Sequence, residues 1–200
     1  GDEISNDQYN YGVILDITDQ RIDPRSGLRL GFRWDFPDIS DESQAEYSRF
    51  DYNITGYWSL FESDTLLFNY FKSQALVSRK GELDKDVIAA PYSCTPDVNC
   101  GDEIDLAVDD QYRANEYGTA SPLGGPNRLR SYPLSRFQAG NSLYYALEYR
   151  YNFSENAIPV NWYLLGGTQT SLQLALFAEM GSVHDDESKL TETMKSSYGF

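Results

Sequence analysis

The chain is poor in the residues that most catalytic and metal centres are made from. It has one histidine and two cysteines among 200 residues. His184, in the stretch GSVHDD, has no second ligand at a matching spacing and reads as a solvated loop residue. Cys94 and Cys100, in CTPDVNC, stand too far apart for a redox CxxC pair, and no other cysteine completes a zinc set. They are read as a local disulfide of an oxidising compartment, the alternative being two free thiols in a loop. GxSxG, P-loop and HExxH signatures are all missing. No catalytic residue, cofactor or metal is therefore expected, and the chain is not read as an enzyme. Positive charge is scarce as well: 16 Lys and Arg face 31 Asp and Glu, for a net charge of -15. Such a chain repels nucleic acid. No apolar run approaches the roughly 18 residues of a spanning helix. The longest, YGVILDI and LQLALF, are strand-sized, and with a mean hydropathy of -0.54 a helical membrane protein is excluded. Helical periodicity, internal repeats and domain boundaries are not evident. A start at Gly1 with neither Met nor signal peptide reads as a mature product or an excised piece.

What is abundant is alternation. Aromatics make up 14% of the chain, with 16 tyrosines, which suits side chains poised between an apolar and a polar layer. Period two runs through residues 9–17, 28–36, 50–60, 142–153 and 171–181. In 142–153, Leu143, Tyr145, Leu147, Tyr149, Tyr151 and Phe153 alternate with Ser142, Tyr144, Ala146, Glu148, Arg150 and Asn152. The run 65–78 is apolar without a clear facing, and the closing SSYGF reads as a further strand just beginning. The expectation is thus about six full strands plus the start of a seventh. They are longer than the usual five or six residues or so, as a tilted membrane-crossing strand must be. A soluble antiparallel sandwich alternates too. It would have to place Arg29, Arg33, Asp35, Glu148 and Arg150 on its inner face while Trp and Tyr face out. Alternation alone does not choose between the two; strand length and aromatic content favour an all-β, antiparallel transmembrane barrel.

The connections 61–64 and 154–159 read as short, 19–27 as a compact turn, and about 80–140 as one long loop. Such a loop in a compact domain is functional or disordered. Within it, Asp97, Asp102, Glu103, Asp105, Asp109 and Asp110 form an acidic stretch, which lacks the EF-hand order of a calcium loop. The glycosylation patterns NIT and NFS fall in strands or at a turn and are discounted.

Three motifs carry a resemblance. In LGGPNRLRSYP, Gly124 and Gly125 introduce Leu129, Arg130, Ser131 and Tyr132. In FAEMG, Phe177 and Gly181 bracket Glu179. In LDITDQRIDPRSG, Asp16, Asp19, Pro24 and Gly27 follow an Asp…Pro-x-x-Gly pattern. Together they resemble the outer-membrane assembly and secretion barrels, the bacterial surface antigen superfamily of the BamA, TamA and FhaC type. The resemblance implies a sixteen-stranded barrel in the bacterial outer membrane, of which residues 1–200 are a part. It also implies a long loop folded into the lumen, where Arg130 pairs with Glu179. Glu148, on the same polar face, is a second candidate partner for Arg130. Ser131 stands where the family has Gly, and Glu179 where Asp is commoner.

On this reading the aromatic face meets lipid and the charged face lines the lumen. A single-chain barrel needs at least about eight strands, so the chain is expected to continue beyond both ends or to be completed by other chains. The implied function is to insert or export polypeptides across the outer membrane. The implied partners are outer-membrane lipid, unfolded outer-membrane or secreted clients, and accessory lipoproteins. The family's periplasmic POTRA modules are not visible. Two alternatives stand beside this one: a barrel that is only the anchor or pore of a fused surface or periplasmic enzyme such as a patatin-like lipase, with no transport activity of its own, and a soluble β-sandwich adhesin.

Overall fold

The computed structural model describes residues 8–37, 41–92, 101–154 and 172–200. Cys94 and Cys100, with their expected disulfide, lie outside the described residues, as does Asp97. Seven strands form one antiparallel sheet in sequence order. They are β1 (Gln8–Thr18), β2 (Gly27–Pro37), β3 (Glu46–Trp58), β4 (Asp64–Arg79), β5 (Asn141–Ser154), β6 (Leu172–His184) and β7 (Lys195–Gly199). Among the described residues each strand pairs only with its sequence neighbours, so β1 and β7 are the two edges of the described sheet.

The register keeps the alternation continuous from strand to strand. Tyr11 pairs with Trp34, Trp34 with Phe50, and Val13 with Phe32, which pairs in turn with Tyr52. Tyr70 pairs with Tyr145, and Tyr145 with Met180. All of these lie on one face. The opposite face collects Arg33, Asp51, Ser73 and Ser142 in one row, and Ala146, Glu179 and Ser197 in another. A one-residue slip would exchange the two faces along a whole strand, so the sidedness fixes the register.

The burial is inverted relative to a water-soluble sheet. On β5 the polar-side Glu148 and Asn152 are buried, while Leu147 is 49% exposed and Phe153 57%. No second sheet packs on the apolar face among the described residues. That face carries no Asp, Glu, Lys or Arg from Tyr9 to Ile17, Leu28 to Phe36, Phe50 to Trp58, Leu66 to Tyr70, Leu143 to Phe153 or Leu172 to Met180. The first charge met on it is Lys72, in the row of Leu143, and Lys72 is paired with Glu187. Aromatics gather toward both ends of this face. Tyr11, Phe36, Trp34, Phe50 and Tyr52 form a chain of ring contacts at 4.5–6.0 Å at one end. Tyr151 and Phe153 pack at 5.0 Å at the other.

The segment 80–140 is not a plain loop. It contains α1 (Lys85–Ala89) and α2 (Gly101–Tyr117), which corrects the reading of the acidic stretch as a loop. Asp102 and Glu103 sit in the first turn of α2, where the helix dipole favours negative charge. Val108 and Asn115 are its buried residues. Asn115 holds the neighbouring backbone together: its amide nitrogen donates to the carbonyls of Ser43 and Glu82, and its side-chain oxygen accepts from the Ala45 N–H. Asp102, Glu103, Asp105, Asp109 and Asp110 are exposed on the helix. Among the described residues no group of three or more His, Cys, Asp or Glu could hold a metal, and no helix is long and apolar enough to cross a membrane. His184 is likewise not a loop residue. It ends β6, and its Nδ1 accepts the Asp186 N–H at 2.8 Å. Asn53 and Asn152, of the NIT and NFS patterns, lie in β3 and β5.

Candidate functional site

The second half of the long segment turns back over the polar face of the sheet. Its base is a bridge between Leu123 and Phe137. Gly124 and Gly125 follow at φ +107° and +103°, a region glycine enters without penalty. A Cβ at Gly124 would lie 2.3 Å from the Pro133 carbonyl oxygen, so this glycine is required for the close approach as well as for the turn. The Gly124 and Gly125 N–H groups donate to the carbonyls of Arg128 and Tyr132, which closes the tip on itself.

From this tip, side chains reach successive strands. The Ser121 N–H donates to the Ser73 hydroxyl oxygen and the Ser121 hydroxyl donates to Asp51, both at 2.8 Å. Leu123 and Leu129 are fully buried against Phe71, Tyr144 and Ala146, with Tyr132, Phe137 and Val183 packed around them. Burial of each leucine stabilises the docked loop by about 1.5–3 kcal/mol. Arg128 stacks its guanidinium 3.4 Å from the Phe71 ring centre, and burial lowers its pKa from the ordinary value. The Ser131 N–H and hydroxyl meet the Ser197 hydroxyl at 3.0 and 2.8 Å, and the Tyr132 hydroxyl donates to the Ser196 carbonyl. The loop thus spans from β3 to β7.

Arg130 lies at the centre of these contacts. Its backbone N–H donates to Glu179 Oε2 at 2.7 Å and its Nε to Glu179 Oε1 at 2.5 Å. Its remaining guanidinium edge donates to Glu148 Oε2 at 2.8 Å. The planar fork allows one arginine to serve two carboxylates. The Tyr144 hydroxyl also donates to Glu179 Oε1, at 2.9 Å, and the Phe177 ring stacks 3.6 Å from the guanidinium. Burial works against the Arg130 charge, but the hydrogen bonds to Glu148 and Glu179 outweigh it and hold its pKa above the ordinary value. A polar cavity of about 380 Å³ lies between the tip and β3–β5, with Arg130 in its lining.

Gly181 makes this approach possible. A Cβ there would lie 2.8 Å from a Leu123 methyl and 3.3 Å from one of Leu129. The structure therefore gathers the loop residues Gly124, Gly125, Leu129, Arg130, Ser131 and Tyr132 with Phe177, Glu179, Gly181 and Glu148. Positive φ falls on Leu129, at +55°, and on Ser135, at +54°, and Ser131 is not among the positive-φ residues. Ser131 instead uses its hydroxyl, which glycine lacks, to hold β7.

The turn motif lies apart, at the opposite end of the strands from α2. Asp19 Oδ1 accepts the N–H groups of Gln20, Arg25 and Ser26 at 3.0–3.1 Å. The Ser26 bond, with those of Arg25 and Gln20, holds the Asp19 carboxyl below the usual range. Asp16 pairs with Arg29 at 2.9 Å, Pro24 is buried, and Gly27 takes φ +114° with the Ile17 carbonyl 2.4 Å from where a Cβ would be.

Among the participants not anticipated as partners are Tyr144, Ser197 and Arg150, whose Nε donates to Glu148 Oε1 at 2.7 Å. Tyr144 and Arg150 lie on the polar face that the alternation defines, and they neighbour the acids in the register. No sequence signal marks Ser197. The chain matches no known family model and no curated protein.

Proposed function

We propose that this sheet is part of the wall of a transmembrane β-barrel that inserts or exports polypeptides across a bacterial outer membrane. The observation that carries the reading is the inverted sheet: an apolar face that is uncharged up to the row of Lys72 and left open, and a charged face covered by the chain's own loop. Open apolar surface beyond a few hundred Å² marks a membrane or partner surface. A strand of 11 residues extends about 36 Å, and at a tilt of about 45° it spans about 25 Å, the height of an outer-membrane apolar band. The gathering of aromatics toward both ends of that face fits the two interfacial girdles.

In this setting the two open edges are paired by further strands, since unsatisfied backbone groups are costly in lipid. The covered face becomes the lumen, and Arg130 becomes a latch that fixes the loop to the lumen wall. The assembly role rests on the three motifs and on their placement, with two of them brought into one cluster. Client strands would be templated by backbone pairing at a barrel seam, without covalent chemistry. Proteoliposomes carrying the intact protein test the role. Urea-denatured outer-membrane barrel client should fold into them, becoming protease-resistant, several-fold faster than into empty liposomes. Equal rates would reject assembly in favour of an anchor or pore for a fused enzyme.

A further inference from the structure

Glu148 is engaged from two sides. Its Oε2 accepts Arg130 at 2.8 Å and its Oε1 accepts Arg150 Nε at 2.7 Å. Arg150 in turn extends its NH1 to Asp23 Oδ1 at 3.6 Å. Asp23 belongs to the turn between β1 and β2, three strands away from β5 in the sheet. The same turn leans on the β3–β4 connection, where the Arg25 guanidinium donates to the Glu62 carbonyl at 2.9 Å. The turn is a stiff unit, held by the three bonds to Asp19 and by the left-handed Gly27. The result is an unbroken line of alternating charge: Glu179, Arg130, Glu148, Arg150, Asp23. It joins the loop tip to the far end of the strands.

We propose that Arg150 is a positioning residue for the loop tip, and that through it the turn at residues 19–26 controls how firmly Arg130 is held. Arg150 fixes the Glu148 carboxylate in the orientation Arg130 needs, and Asp23 fixes Arg150. The Arg150–Asp23 contact is the longest in the line and its carboxylate is half exposed, so it is the step a partner gripping the turn can make or break. The coupling belongs to the fold and holds whatever the barrel conveys.

Amide hydrogen exchange on the intact protein in detergent tests it. Asp23→Asn keeps the shape of a surface side chain and removes its charge. The Arg130 and Ser131 amides, which are bonded to Glu179 and Ser197, should then exchange roughly two- to fivefold faster, the scale of an exposed ion pair. Wild-type rates at those two amides, or a uniform rise across all strands, would overturn the coupling. Arg150→Ala should accelerate the same amides further, and Arg150→Lys should restore part of the protection; equal effects of Ala and Lys would also overturn it. If Arg150→Ala does not fold, Asp23→Asn decides alone. Failure here leaves the client-folding experiment untouched, and the reverse is equally true.

Discussion

Replacement of Glu179 by alanine is the sharpest perturbation of the loop seat. The side chain is fully buried and accepts three hydrogen bonds: the Arg130 N–H, the Arg130 Nε–H and the Tyr144 hydroxyl. Removing one partner of a buried ion pair costs about 3–5 kcal/mol, and each donor left unsatisfied costs about 1–3 kcal/mol. Two features reduce the sum. The Arg130 side chain is 29% exposed, which lets water replace part of the loss, and Glu148 still neutralises it. Glu179→Ala is therefore expected to destabilise by about 3 kcal/mol, the low end of that range. Glu179→Gln keeps an oxygen for the Arg130 N–H and should cost about half as much. Urea unfolding of the detergent-solubilised protein, followed by tryptophan fluorescence, measures both. An alanine variant with a wild-type midpoint, or a glutamine variant worse than alanine, would refute the seat as drawn.

Three further outcomes follow from the same geometry. Gly181→Val pushes side-chain atoms into Leu123 and Leu129 and should destabilise by about 1–3 kcal/mol; in the same urea titration, a neutral result would mean that the loop does not rest on β6. The Asp19 carboxyl titrates below its unfolded value of about 3.9, so its contribution is complete above that pH and is lost as pH falls through the folded value. Exchange at the Arg25 and Ser26 amides should therefore show extra loss of protection below about pH 4 that Asp19→Asn abolishes; a pH course identical in the two proteins would contradict this. Leu147→Arg, in the middle of the open face, should destabilise the bilayer-embedded protein by about 2–4 kcal/mol, whereas Asn69→Arg on the covered face should cost far less; equal costs would argue against a lipid-facing side.

The strands were legible because period two is written in side chains of opposite character. Expected runs and observed strands agree to within a few residues. The largest miss is at β3, which begins at Glu46 rather than at residue 50 and ends at Trp58, because the Asp64 carboxylate captures the Leu60 and Phe61 amides into a turn. The facing of β4 was opaque because Leu67 and Phe71 are apolar on the covered side, where Leu123 and Leu129 bury Phe71. Only the tertiary fold supplies those partners. Helix α2 was hidden by its acidity, yet Ile104, Val108, Gln111 and Asn115 recur at helical spacing, and Val108 and Asn115 are its buried residues. The meeting of Arg130 with Glu179 was expected from the resemblance and from the alternation together. The line onward to Asp23 was not, since nothing in the sequence places a β1–β2 turn against β5.

The central claim, that the open apolar face meets lipid, is tested most directly at two adjacent positions of β4. Phe68 lies on the open face, 38% exposed, and Asn69 on the covered one, where it bonds Asn53 and Thr55. In a background with every native tryptophan changed to phenylalanine, the three of this sequence included, Phe68→Trp and Asn69→Trp are placed one at a time in the intact protein and reconstituted in bilayers with brominated acyl chains. The account predicts strong quenching at 68 and little at 69. Equal quenching, or the reverse order, would contradict it.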